Sequence, residues 1–431
     1  MIIYLTLLMF ALIDHVTAAM PKFVFAHFIV GNAASLTQEQ WESEIKLAKH
    51  SLIDGFALNI AQQDTNTDQI LQKAYAAAGQ VGKFSLFLSF DYLSGGPWPV
   101  DRVVDTINKY KKSPAQFFYD DKPLVSTFEG VANIDDWPTI RNKSDCFAIP
   151  DWTSLGSQRF AEVRQNVNGF FSWDAWPVGT DDKTIDSDRT WRNATHGRPY
   201  MMPVSPWFYT NLPQWNKNWL WKGAQLWTYR WEQIYRFQPD FVQIISWNDY
   251  GESHYIGPVH VDGIPQGAAR YVENNSHDAW RELLPYLIAS YKLGDRSRIR
   301  ITRDTLVYWY RPNPNQSGSN GGTTGNCPQQ GQQAMDPASL AEDKIYIAVL
   351  IKEPSWIGVR IGSNNNITSF YAQQAGLSTF EVPFNGQTGN TTFWIVRNET
   401  EVAYATGPAI TADCVDGMVN WNAVVGSSQV G

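Results

Sequence analysis

The run Phe241-Val-Gln-Ile-Ile-Ser-Trp-Asn-Asp-Tyr-Gly-Glu-Ser-His-Tyr-Ile-Gly-Pro258 changes character halfway along. Phe241 to Ser246 is a short apolar stretch rich in β-branched residues, the pattern of a buried strand. Trp247, Asn248, Asp249, Tyr250, Gly251, Glu252, Ser253, His254 and Tyr255 follow at once. A strand that opens into two carboxylates, amphipathic aromatics and a glycine hinge has stopped building core. Polar groups at a strand exit are placed to meet a ligand. Asp249 and Glu252, hemmed in by Trp247 and Tyr250, form a candidate acid–base pair.

Upstream the same rhythm repeats. Strands are predicted over 23–30, 55–60, 85–91, 123–128, 146–150, 169–173 and 200–205, ahead of 241–246. Helices are predicted between and after them, over 37–50, 67–78, 100–112, 134–141, 157–164, 183–196, 214–237 and 278–291. Thr37 is the expected N-cap of the first helix, with Gln40 completing a capping box. This alternation is the pattern of an α/β fold, a (β/α)8 TIM-type barrel, in which chemistry gathers at the C-terminal ends of the strands. The residues at those ends are His27 and Asn32, Asn59, Asp91 and Tyr92, Glu129, Asp151 and Trp152, then Trp173, Asp174 and Trp176, Trp207 and Tyr209, and finally Asp249 and Glu252. Substrate contacts are expected from His27, Asn59, Asp91, Glu129, Asp174, Asn248 and Tyr250, with Trp173, Trp207 and Trp247 as stacking platforms.

From about residue 299 the helical pattern stops. Strand-like runs begin at Val307, Ile345, Ile357, Thr379 and Thr392, separated by turn clusters, which reads as a smaller antiparallel β-sandwich. Residues 317–324 read as a flexible loop. The unit reads either as a carbohydrate-binding module or as a scaffold packed against the barrel. The scaffold reading is favoured, because no exposed aromatic triplet is visible in the sequence. The expected domains are 1–19, 20–298 and 299–431.

Bulk properties narrow the function class. The chain of 431 residues carries a net charge of −8, which argues against a nucleic-acid partner. Its 19 Trp, 19 Tyr and 22 Phe offer flat faces that suit sugar rings as well as core packing. Residues 1–19 read as a secretory signal peptide, too short in its apolar run to span a bilayer. Sequons at Asn142, Asn193, Asn274, Asn315, Asn366, Asn390 and Asn398 agree with a secreted glycoprotein. Cys327 and Cys414 are paired as a disulfide in this reading, and Cys146 is a buried free thiol. No metal, cofactor or membrane span is expected, and the chain is expected to act as a monomer.

Six segments, Ala26-His-Phe-Ile-Val-Gly31, Asp54-Gly-Phe-Ala-Leu-Asn59, Leu88-Ser-Phe-Asp91, Val125-Ser-Thr-Phe-Glu-Gly130, Tyr200-Met-Met-Pro-Val-Ser-Pro206 and Ile245-Ser-Trp-Asn-Asp-Tyr-Gly-Glu-Ser253, together resemble glycoside hydrolase family 71, the fungal α-1,3-glucanases or mutanases. The resemblance implies a barrel with a C-terminal β-domain, hydrolysis of α-1,3-glucan with inversion, and catalytic acids at Asp249 and Glu252. It implies a polysaccharide substrate and a secreted or wall-associated enzyme. On arm length Glu252 is assigned as general acid and Asp249 as the group that activates water; the reverse assignment stays open. The other readings are a hydrolase of β-glucan or chitin, and a non-catalytic wall-carbohydrate-binding protein.

Overall fold

The structure, a computed structural model, describes residues 21–363 and 366–430. The expected signal peptide lies outside the described residues. The N-terminal part holds β1 Phe23–Ile29, β2 Gly55–Ala61, β3 Ser85–Asp91, β4 Phe118–Tyr119, β5 Lys122–Phe128, β6 Phe147–Ala148, β7 Phe170–Phe171, β8 Tyr200–Val204, β9 Tyr209–Leu212, β10 Lys217–Leu220 and β11 Phe241–Ile244. Except for β4, β9 and β10, these run parallel in one curled sheet. Its order brings β11 beside β1, so the last strand and the first are hydrogen-bonded neighbours. Between β6 and β7 the ladder thins: Asp151 bridges to both Phe128 and Phe171, and Phe171 N donates to Pro150 O at 3.0 Å. Proline at 150 has no N–H to extend a ladder, which keeps these two strands short.

Alternation within each strand explains the burial. Phe25, Ala57, Phe87, Leu124, Phe147, Phe171, Met201 and Phe241 pack together inside the curl. Their neighbours Val24, Phe56, Leu86, Val125, Ala148, Phe170, Tyr200 and Val242 pack on the helices outside. A strand buried on both faces reads as continuous apolar sequence, which is why these runs were legible. The helices include α1 Gln38–His50, capped by Thr37 and Gln40 as expected. The second helix, Thr67–Val81, runs past Gly79 and ends at Gly82, whose φ of 65° suits a glycine stop.

Residues 214–237 do not form one helix. Lys217–Leu220 is β10, paired antiparallel with β9 around a turn at Asn216 (φ 55°), and the helix begins only at Leu226. Trp219 and Trp221 turn to the mouth of the curl and Leu220 to the helix side, a period of two that a helix would scatter.

The C-terminal strands are β12 Thr305–Tyr310, β13 Thr324–Gly325, β14 Lys344–Ile351, β15 Ser355–Ile361, β16 Ile367–Ala372, β17 Gly376–Pro383, β18 Gly389–Arg397, β19 Thr400–Ile410, β20 Val424–Ser427 and β21 Gln429–Val430. Apart from β13, they build two antiparallel sheets, β17-β14-β12-β20 and β16-β15-β18-β19-β21. Leu306, Tyr308 and Tyr310 face the core between the sheets; Val307 and Trp309, on the other face of β12, join the core of the N-terminal part. Trp309 Nε1 donates to Ala224 O at 2.7 Å across that junction.

The expected flexible loop is tied down. β13 pairs parallel with β10, Thr323 Oγ1 donates to Asn218 Oδ1 at 2.7 Å, and Gln329 Nε2 donates to Asn216 O at 2.9 Å. The C-terminal unit thus sends a strap over the mouth of the curled sheet. The expected disulfide is not formed: Cys327 and Cys414 are free thiols, as is Cys146. Cys327 packs with the mouth aromatics Phe208, Trp219 and Trp221, whereas Cys414 lies against Gly318.

Candidate active site

β11 delivers the segment that carries Asp249 and Glu252, and three sets of bonds lock it. Ser246 N donates to His254 O at 2.9 Å and Ile256 N to Ser246 O at 3.0 Å, closing 247–253 into a tight loop. Asn248 acts as a false backbone unit: its Oδ1 accepts from Ile29 N at 2.7 Å and its Nδ2 donates to Ile29 O at 3.0 Å. Trp247 is fully buried, with its indole N–H on Glu44 Oε2 at 2.5 Å, and Glu44 Oε1 meets His260 Nε2 at 2.8 Å. A Cβ on Gly257 would sit 2.5 Å from that indole, so only glycine permits the return of the chain.

The loop exposes Asp249 and Glu252 to a cleft of about 800 Å³. Asp249 Oδ1 accepts from Glu252 N at 3.3 Å, capping the short turn between them. Ser246 Oγ accepts from Asp249 N and lies 2.9 Å from His254 Nδ1. With the Ser246 hydroxyl hydrogen given to Nδ1, His254 Nε2–H points at Glu252 Oε2, 3.0 Å away, and at Asp249 Oδ2, 3.8 Å away. On the other side Lys217 Nζ lies 2.8 Å from Glu252 Oε1.

These neighbours split the pair. Burial works against ionisation of Glu252, but Lys217 and His254 outweigh it and hold the carboxyl well below its usual range. Asp249 goes the other way: burial first, then the Glu252 charge, raise it to about 6. Two carboxyls in one loop therefore have opposite proton affinities, the condition for one acid and one ion at the same pH. Asp249, Glu252 and His254 also offer ligand atoms within 4.8 Å of one another, an arrangement a divalent cation could use. The Lys217 ammonium already supplies positive charge at Glu252.

Of the residues expected to contact substrate, His27, Asn59, Asp91 and Trp173 line the cleft. Burial, aided by His254, pushes His27 down to about 3, so it is neutral. Gln243 Nε2 donates to His27 Nδ1 at 3.3 Å, leaving Nε2–H free to donate. Asp91 accepts from Leu93 N and Ser94 N, both at 2.9 Å, yet burial still raises its pKa.

Other expected contacts lie elsewhere. Glu129 is taken by Ser154, and Asp174 by Lys183 at 2.6 Å. Trp207 is wedged over Gly223 and donates to Trp421 O at 3.1 Å. Trp247 and Asn248 are structural, as above, and Tyr250 is buried with its hydroxyl on Pro258 O at 2.8 Å. Among the sequons, the Asn315 amide already donates to Ala338 O and Ala341 O, so a glycan, which replaces one of its two N–H hydrogens, would cost at least one of these bonds.

Several cleft residues escaped the sequence reading: Asp64, Trp215, Lys217, Trp219, Trp221 and Gln330. All but Asp64 and Gln330 sit in or beside the β9–β10 hairpin, whose second strand falls in the span expected as helix over 214–237. Gln330 comes from the strap. His254 was within the quoted segment but had no assigned role.

A pair of carboxyls with opposed proton affinities, set in an aromatic-lined cleft, is an arrangement suited to glycoside hydrolysis. The family model for glycosyl hydrolase family 71 matches residues 20–431, and the chain belongs to that family. It is 34% identical to a glucan endo-1,3-alpha-glucosidase of Schizosaccharomyces pombe, covering 99% of both chains. It is 33% identical to a mutanase of Penicillium rubens, over 95% of this chain and 89% of the other. An ascus wall endo-1,3-alpha-glucanase of S. pombe is 25% identical over 91% of this chain and 94% of its own.

Proposed function

We propose that this chain is an endo-acting hydrolase of α-1,3-glucan, working on polysaccharide of fungal walls outside the cell. The observation that carries the reading is the split pair: Asp249 protonated at mildly acidic pH beside a permanently ionised Glu252, in a cleft walled by Trp173, Trp215, Trp219 and Trp221. The family and the names of the relatives support the α-1,3 linkage and internal cleavage. Asp151's bridges on both sides support reading the curled sheet as a closed (β/α)8 barrel.

In this mechanism Asp249 protonates the glycosidic oxygen as general acid, reversing the assignment made on arm length. Glu252, held as an anion by Lys217 and His254, stabilises positive charge developing on the sugar and takes the proton of the attacking water as the C–O bond to the leaving sugar breaks. Inversion is the outcome the family resemblance implies. One oxygen of each carboxyl lies within 4.8 Å of the other, closer than the roughly 6.5–9.5 Å between carboxyl groups that houses a water in an inverting pair. Under inversion the water must therefore enter beside the pair, or the sugar must widen it.

The test is sugar release by the purified protein from α-1,3-glucan, β-1,3-glucan and chitin, with product lengths resolved. Release confined to the α-glucan, as oligosaccharides first, supports the proposal. Release from either control instead moves the substrate class. No release from any polymer favours a binding protein.

A further inference from the structure

The second sheet of the C-terminal unit has an unusual outer face. Inward, β15, β18 and β19 contribute Ile357, Val359, Phe393, Ile395, Ala403 and Ala405 to the sandwich core. Outward, the same alternation collects Trp356, Tyr371, Trp394 and Tyr404, far apart in sequence but adjacent in the ladder. Trp356 stands opposite Tyr371, their ring centroids 5.0 Å apart. Gly358 stands opposite Trp394, which stands opposite Tyr404. A Cβ at Gly358 would fall 2.1 Å from the Trp394 ring, so this indole lies across the strand where a glycine makes room for it.

Trp356 and the Trp394 ring that lies at Gly358 are thus offset by two residues along β15, roughly 6.6 Å and comparable to one sugar ring, with Tyr371 and Tyr404 flanking them across the sheet. Trp356 is 54% exposed, Tyr371 47% and Tyr404 43%. Side chains this large are not left in water without consequence, and clustered exposed apolar surface marks an interaction site. Arg360 shares the face, its Nε buried without a hydrogen-bond partner, and so do the exposed hydroxyl residues Ser369 and Thr406. The first sheet packs against the N-terminal part through Val307 and Trp309, so this face points away from it.

Flat rings bordered by hydroxyls and one guanidinium complement a neutral polyol, whose apolar ring faces stack and whose edges hydrogen-bond. A net charge of −8 disfavours a nucleic acid on the same rings. We propose that this face is a second glucan-binding surface, on which a neutral glucan chain lays successive sugars against Trp356–Tyr371 and Trp394–Tyr404. It retains the enzyme on insoluble polymer while the cleft cuts. The proposal rests on the substrate reading above for the identity of the polymer.

Binding is measured on full-length protein silenced by Asp249→Asn, as depletion from solution by insoluble α-1,3-glucan. Trp356→Ala with Tyr371→Ala, and separately Tyr404→Ala, are compared on that background. Each is also made in active protein and assayed on soluble α-1,3-oligosaccharides. The expected result is binding weakened about tenfold or more by the double substitution, with soluble turnover within about twofold of wild type. Tyr404→Ala is expected to weaken binding in the same direction. Unchanged depletion in both variants overturns the proposal. So does a concentration-dependent dimer of the parent that both variants abolish, which would assign the face to a second copy. If the active protein instead cuts β-1,3-glucan or chitin, and the same substitutions abolish binding to that polymer, the surface stands and the substrate reading of the cleft fails.

Discussion

Lys217 Nζ and Glu252 Oε1 lie 2.8 Å apart, joined across 35 residues by the β9–β10 hairpin folding over the mouth of the curled sheet. Glu252 in return raises the lysine, with Asp249 and Asp91 adding to the effect. The ion pair fixes which member of the carboxyl pair keeps its charge. Lys217→Met removes that bias, so Glu252 rises and competes with Asp249 for one proton. The acid limb of the kcat/KM profile is expected to move to higher pH, with kcat falling roughly 10²-fold. Lys217→Arg is expected to restore the limb. An unmoved limb in Lys217→Met would show that the lysine only positions the loop.

Asp249 has a predictable cost. Its carboxyl is raised from 3.8 to about 6 in the folded protein, so folding binds its proton more tightly than the unfolded chain does. That contribution to stability is complete below the unfolded value and is lost as pH rises through about 6. Asp249→Asn is therefore expected to be more stable than wild type at pH 8, on the order of 1–3 kcal/mol, and equal to it near pH 4. Denaturant titrations at the two pH values check this. The same proton sets the basic limb of activity, which should fall above about pH 6.

Trp247 is a beam rather than a sugar platform. Trp247→Phe keeps an aromatic ring but leaves Glu44 Oε2 without its indole donor in a buried site. A loss of about 2–4 kcal/mol is expected, read as a lower unfolding midpoint. KM should be unchanged at temperatures where the variant is folded. A raised KM with unchanged stability would return Trp247 to the cleft.

Trp215 is the opposite case. It is 56% exposed at the cleft lip, with its side chain free to meet a sugar face. Trp215→Ala should raise KM for long oligosaccharides about three- to tenfold, leaving kcat and stability near wild type.

What the sequence disclosed follows a physical boundary. The parallel strands were legible because burial on both faces leaves a near-continuous apolar run, as in Tyr200–Val204. Asp249 and Glu252 were legible because they share one loop with those signals. Lys217 was not, because it comes from a separate hairpin, 35 residues before Glu252 in the chain, and only the fold brings the two together. Asn248 and Trp247 looked like ligand contacts because a buried polar or aromatic group at a strand exit carries the same letters whether it meets sugar or backbone. The outer aromatics Trp356, Tyr371, Trp394 and Tyr404 became neighbours only through strand register.

The central claim, that Asp249 gives the proton and Glu252 holds the charge, is tested most directly by changing the leaving group. Asp249→Asn and Glu252→Gln are compared on α-1,3-glucan and on α-glucosyl fluoride, whose fluoride departs without a general acid. The account predicts that both variants lose about 10³-fold or more on glucan, while Asp249→Asn regains most of its rate on the fluoride and Glu252→Gln does not. Rescue of Glu252→Gln instead, with Asp249→Asn inert on both substrates, would contradict the assignment and return the acid to Glu252.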